Sequence, residues 1–152
     1  MTSWIVIDNH ILIAAAIVET YTAQAEALLR WIQAEEINVA APNLIRYESV
    51  AVLRKLAHRG TITPQNGEEL LRAILERPIH LVMNADLLMR AYQMASELGM
   101  PSAYDAQYLA VAERLNCAFW TGDRRLFNAV QARYSWVKYI ADYPLPPVLA
   151  EA

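Results

Sequence analysis

A chain of 152 residues has room for one domain with a real core, and its single cysteine, Cys117, excludes an internal disulfide framework and fits a reducing cytoplasm. Hydrophobic residues make up 56% and charged residues 19%, an apolar balance that points to a buried partner surface as well as a core. Four glycines are too few for a turn-rich all-β fold, and a net charge of −3 argues against a bulk electrostatic grip on nucleic acid.

Residues 4–8 (WIVID) read as a short buried strand that ends on Asp8. The apolar run ILIAAAIV at 11–18 follows as a helical stretch; it falls far short of the roughly 20 residues a membrane span needs. No Lys or Arg precedes Arg30, so a signal peptide's positive region is missing, and a soluble, cytoplasmic protein is expected. Helical spacing marks 23–35, a strand follows at 37–41, and a long helix is expected over 43–59. Gly60 punctuates its end, Thr63-Pro64 opens a helix over 64–76, and a strand follows at 79–83. Helices at 86–98 and 103–115 are separated by Gly99-Met-Pro101; a strand at 117–121, a short helix at 124–132 and a strand at 136–140 complete the series. The PLPP at 144–147 ends the folded part, giving a domain over 1–143 and a tail over 144–152. Alternating strands and helices predict an α/β fold with a central, mainly parallel five-stranded sheet between helical layers.

Ligands of such sheets bind beyond the carboxyl ends of the strands, where strand order reverses. No glycine-rich nucleotide loop and no zinc-type Cys/His spacing is present. His80 alternates inside a strand and reads as structural, whereas His10 lies close to Asp8. Four acids stand out. Asp8 and Asp123 follow strands and precede helices, positions equally suited to helix capping. Ser102-Ala-Tyr-Asp105 reads as a near capping box. Glu48 is different, because it shares a helical stripe with Leu44 and Val52 that should face inward. A carboxylate there needs a cation, either Arg46 or Arg54, or a metal ion shared with the other acids. Hard oxygen donors with few local cations suit Mg²⁺ or Mn²⁺.

The order of VID, PNLIRYESVAVLRKL, AYDAQYLAVAERLN and FWTGDRRLFNAV resembles a PIN domain, and most closely the small ribonucleases of VapC-type toxin–antitoxin pairs. The likeness runs from about residue 4 to 140 and is most specific in YDAQYLAVAERL and TGDRRL. It implies a metal site of Asp8, Glu48, Asp105 and Asp123, with Thr121 orienting a carboxylate through its hydroxyl. Asn9-His10 departs from the small or hydroxyl residues usual in the family at these places.

Such a site supports phosphodiester hydrolysis by metal-activated water. The resemblance implies single-stranded RNA as substrate, an antitoxin as partner and a homodimer; the apolar fraction and amphipathic helices point to the dimer as well. Arg124 and Arg125 are candidate contacts to the RNA backbone, and Arg54, Lys55, His58 and Arg59 form a second basic patch that reads better as solvated helix surface. Two rival readings are a catalytically inactive PIN-like module that docks a protein or RNA, and a receiver-type switch with Asp8 as phosphoacceptor. The second fits poorly, since Lys138 falls inside the last strand rather than at a strand end.

Overall fold

Among the described residues, 2–147 of the computed structural model, every strand pairing is parallel. The elements run β1 (Trp4–Ile7), α1 (Asn9–Ala16), α2 (Thr22–Ala34), β2 (Asn38–Ala41), α3 (Leu44–His58), α4 (Pro64–Glu76) and β3 (Ile79–Leu81). They continue with α5 (Ala85–Glu97), α6 (Tyr104–Leu115), β4 (Phe119–Thr121), α7 (Arg124–Val130), β5 (Val137–Tyr139) and a 3₁₀ turn at Ile140–Asp142. Residues 144–147 carry no helix or strand, and the rest of the expected tail, 148–152, lies outside the described residues.

The sheet order is β3-β2-β1-β4-β5. The chain therefore builds outward from β1 through β2 to β3, then returns to lay β4 on the other side of β1. That reversal makes the β1–β4 seam the switch point, with all five carboxyl ends on one edge. The apolar runs explain the layering. Ile5, Val6 and Ile7 of β1 are buried, as are Ala40 and Ala41 of β2 and Phe119 of β4. Strands without a polar face need helices on both sides of the sheet. α6 supplies much of one cover, packing across β1, β2 and β4 with Leu109, Val111 and Tyr108 inward. α5 lies along α6, while α1 packs on α2 and α3, and α3 pairs with α4.

Local chemistry sets the helix ends. The Thr63 hydroxyl accepts from Asn66 N–H at 3.0 Å ahead of Pro64, and the Asn84 side chain accepts from Leu87 N–H at 3.0 Å. Gly60 ends α3 at φ +76, a left-handed conformation that glycine adopts without strain. The strands are shorter than the apolar runs suggested. Asp8 leaves β1 because it caps α1 instead of continuing the ladder, and Cys117 precedes the paired part of β4. Among the described residues no helix is long and apolar enough to cross a membrane.

Candidate active site

The register of β1 and β4 pairs Val6 with Phe119 and Ile7 with Trp120. One step further along, Asp8 comes level with Thr121 at the carboxyl edge. The Thr121 hydroxyl donates to Asp8 Oδ2 at 2.5 Å and accepts from Asp123 N–H at 2.9 Å. Asp8 Oδ1 accepts from Ile11 N–H and Gly122 N–H, each at 3.3 Å. Both Asp8 and Thr121 are buried, at 3% and 0% exposure, so this carboxylate is fixed by three donors before any substrate arrives. A carboxylate offers about four lone-pair directions, which leaves one for a further partner.

Asp123 accepts from Leu126 N–H at 3.1 Å and caps α7. For Asp8 and Asp123, capping and a place at the sheet edge are therefore two uses of one side chain. Asp105 is otherwise. α6 begins at Tyr104, its cap is Ala103 with no side-chain bond, and the expected box with Ser102 does not form. Its carboxyl sits in the first helical turn, where the helix dipole favours an anion.

Glu48 is half-buried on α3 and makes no ion pair with Arg46 or Arg54 among the described residues. Arg46 instead donates to Leu75 C=O at 3.4 Å. Glu48 Oε1 accepts the Tyr108 hydroxyl at 2.5 Å, from a ring stacked on Phe119 with centroids 5.5 Å apart. Sequence reasoning missed Tyr108. The available signal was its place one turn after Asp105, on a face of α6 that is otherwise apolar.

The charges of the four acids reach one another. Burial pushes the Glu48 carboxyl above its ordinary value; the Tyr108 hydroxyl pulls the other way, and the charges of Asp8 and Asp105 push it further up. Asp105 is likewise raised, by burial first and then by Asp123 and Asp8. His10, half-exposed, lies with Nδ1 3.5 Å from Asp8 Oδ2. Its bond to Asp8 is the main reason its pKa rises to about 9, against a lowering by burial, with the charges of Asp8, Asp123 and Glu48 adding to the rise. That interaction favours the protonated imidazole beside the acids. Gly122 makes room for it: a Cβ there would stand 2.5 Å from His10 Cβ.

Whether these residues suit a divalent cation is a matter of donor chemistry and spacing. The donors are hard carboxylate oxygens facing too little positive charge, as Mg²⁺ or Mn²⁺ requires. Among the described residues no three Asp, Glu, His or Cys side chains form a ready-made cage. Mg²⁺ keeps several waters and takes one or two carboxylates directly, so it does not require such a cage.

Arg124 and Arg125 open α7 beside Asp123, and both are exposed. Cys117 is half-buried, its thiol pushed up to about 11 by burial, so it offers little thiolate. A cavity of about 630 Å³ lined by Leu12, Leu29, Ile32, Val39 and Ile79 includes none of the four acids.

A parallel α/β fold with acids at its switch point defines a class, and the family model for the PIN domain matches residues 6–135. The chain belongs to the PIN domain family. Within it, the chain is similar to the VapC ribonuclease Mb0985 of Mycobacterium bovis and to Ribonuclease VapC9 of Mycobacterium tuberculosis. Each is 34% identical over 85% of this chain and 93% of the relative. Ribonuclease VapC3 of Pyrobaculum aerophilum is 29% identical over 80% of this chain and 91% of its own. The crystal structure of PAE2754 from Pyrobaculum aerophilum superposes with a TM-score of 0.67 at 22% identity, covering 93% of both chains, a likeness of fold.

Proposed function

We propose that this protein is a divalent-metal-dependent endoribonuclease, the toxin of a toxin–antitoxin pair, which hydrolyses RNA phosphodiester bonds by direct attack of water. The observation that carries the reading is the joining of Asp8 and Asp123 through Thr121 at the carboxyl edge of β1 and β4, with the charges of Asp8 and Asp105 raising Glu48 and those of Asp123 and Asp8 raising Asp105. The names of the VapC relatives support RNA as the substrate.

In this reading Asp8, Glu48, Asp105 and Asp123 hold Mg²⁺ or Mn²⁺, some directly and others through water. The ion, when bound, supplies a more acidic water and offsets charge on the phosphodiester. Thr121 keeps the Asp8 carboxylate in one orientation while holding the Asp123 backbone beside it. Tyr108 does the same for Glu48. Arg124 and Arg125 offer exposed cations to the RNA backbone on the side of Asp123. With no activated thiol at hand, no covalent intermediate is called for.

Exposed apolar side chains, Tyr47 and Val50 on α3 and Leu88, Met89 and Tyr92 on α5, support a homodimer and a small antitoxin as partners, both in the cytoplasm. A stable dimer should bury about 1,200–2,000 Å² in all; a monomer by light scattering at high micromolar concentration would count against it. The activity itself is tested by incubating purified protein with total RNA. Fragments should form with Mg²⁺ or Mn²⁺ and not with chelator. An RNA profile left unchanged by metal would favour the inactive binding module.

A further inference from the structure

His10 stands beside the acids, and a site made of four carboxylates gives it no task. Its Nδ1 lies 3.5 Å from Asp8 Oδ2, and its side chain is 52% exposed, so the pair is open to solvent from the side of the ring. The bonds that Asp8 already makes say where its spare lone pair is. Oδ1 accepts two backbone N–H groups, from Ile11 and Gly122, whereas Oδ2 accepts only the Thr121 hydroxyl. With two directions on each oxygen, the free one belongs to Oδ2, the atom nearest His10 Nδ1.

The separation of the two atoms is long for a hydrogen bond. It is close to that of two donors on one cation, which stand about 3–3.5 Å apart when each is roughly 2.0–2.2 Å from the ion. The fold also keeps the imidazole in this place. His10 follows the cap of α1 by two residues, and Gly122 lies against it, where a Cβ would stand 2.5 Å from His10 Cβ. The residues usual at this place in the family are small or carry a hydroxyl, so the nitrogen is a feature of this chain.

We infer that His10 Nδ1 is a ligand of the cation held by the acids, and that this nitrogen makes the site select Mn²⁺ over Mg²⁺. Carboxylates and water suit both ions, but Mg²⁺ takes oxygen donors, while imidazole favours the transition metals. In the metal-free protein a proton holds the imidazole against Asp8; an ion takes the same place and displaces it, because a ligating histidine is neutral. The inference rests on the cation site proposed above and adds one nitrogen to its four carboxylates.

The test reads the metal and needs no RNA. Mn²⁺ is added to the metal-free protein, and electron spin-echo envelope modulation detects any nitrogen bound directly to it. Wild type should show ¹⁴N modulation that changes to the ¹⁵N pattern when histidine alone carries ¹⁵N, and His10→Ser should lose it. Calorimetry on the same proteins gives the dissociation constants for Mn²⁺ and Mg²⁺. Wild type should prefer Mn²⁺, and His10→Ser should lose about tenfold of that preference, as removal of even an outer partner of a bound metal does. Thermal melts show whether His10→Ser is folded. If it is not, His58→Gln and His80→Gln should both keep the modulation, which leaves His10 as its source among the three histidines. Mn²⁺ bound with no histidine nitrogen would overturn the ligand and leave the four-acid site standing. Modulation that persists in folded His10→Ser, or disappears in a folded His58 or His80 variant, would overturn the assignment. Histidine modulation in a protein that cuts no RNA would keep the ligand and remove the nuclease. No Mn²⁺ bound at all would overturn the ligand and the cation site together.

Discussion

Thr121→Val isolates one hydroxyl at the centre of the site. Valine has nearly the same shape, and Thr121 is fully buried, so packing is largely kept. What goes is a hydrogen bond to the Asp8 carboxylate and the acceptor for Asp123 N–H. A bond to a charged group is worth about 1.5–3 kcal/mol and a neutral one about 0.5–1.5, so the loss should be about 2–4.5 kcal/mol. For a domain of this size that lowers the melting temperature by roughly 4–18 °C, at 2–4 °C per kcal/mol. Thr121→Ser keeps the hydroxyl and loses one methyl group, at a cost of about 1 kcal/mol. The assay is a pair of thermal melts, run beside cleavage rates at a fixed Mn²⁺ concentration. Valine should lose both stability and rate, serine mainly a little stability. If valine melts and cleaves like wild type, the hydroxyl does not hold Asp8 and the positioning argument fails.

Gly122→Ala should cost about 1–3 kcal/mol by overpacking, because the new Cβ meets His10 Cβ rather than a flexible tip; an unchanged melting temperature would contradict the close approach. Asp105→Asn tests the charge crowding. Asp105 and Glu48 are both held above ordinary carboxyl values, so the folded state keeps their protons to higher pH than the unfolded chain does. Their contribution to stability is full below about pH 4, near the unfolded values, and is lost as pH rises through the raised folded values. Metal-free Asp105→Asn should therefore melt above wild type at neutral pH, with the gap closing in acid. Mg²⁺ should then stabilise wild type more than the variant. A variant that melts lower at neutral pH without metal would show that repulsion is not what Asp105 contributes.

Much of the frame was legible in the sequence because the central strands are buried and announce themselves as apolar runs. The acids at the ends of β1 and β4 were legible for the same reason: a charged residue closing such a run marks where the sheet ends. What sequence could not supply was pairing across distance. Glu48 looked in need of an arginine, yet its partner is Tyr108, 60 residues away on another helix. The Ser102–Asp105 box failed because α6 starts one residue later than the pattern needs, with Ala103 as its cap. The use of Gly122 depends on His10 crossing from α1, a contact no local pattern carries.

The central claim is that four carboxylates share one cation-dependent site. It is tested most directly by cleavage rate against Mn²⁺ concentration for wild type, Asp8→Asn, Glu48→Gln, Asp105→Asn and Asp123→Asn. Asn is itself a good helix cap, so the variants at Asp8 and Asp123 keep their capping role and should stay folded. The account predicts saturable, Mn²⁺-dependent cleavage in wild type and rates at the chelator-treated background in all four variants, each with a native melting transition. A folded variant of any one of them that cleaves with the wild-type Mn²⁺ dependence would contradict it.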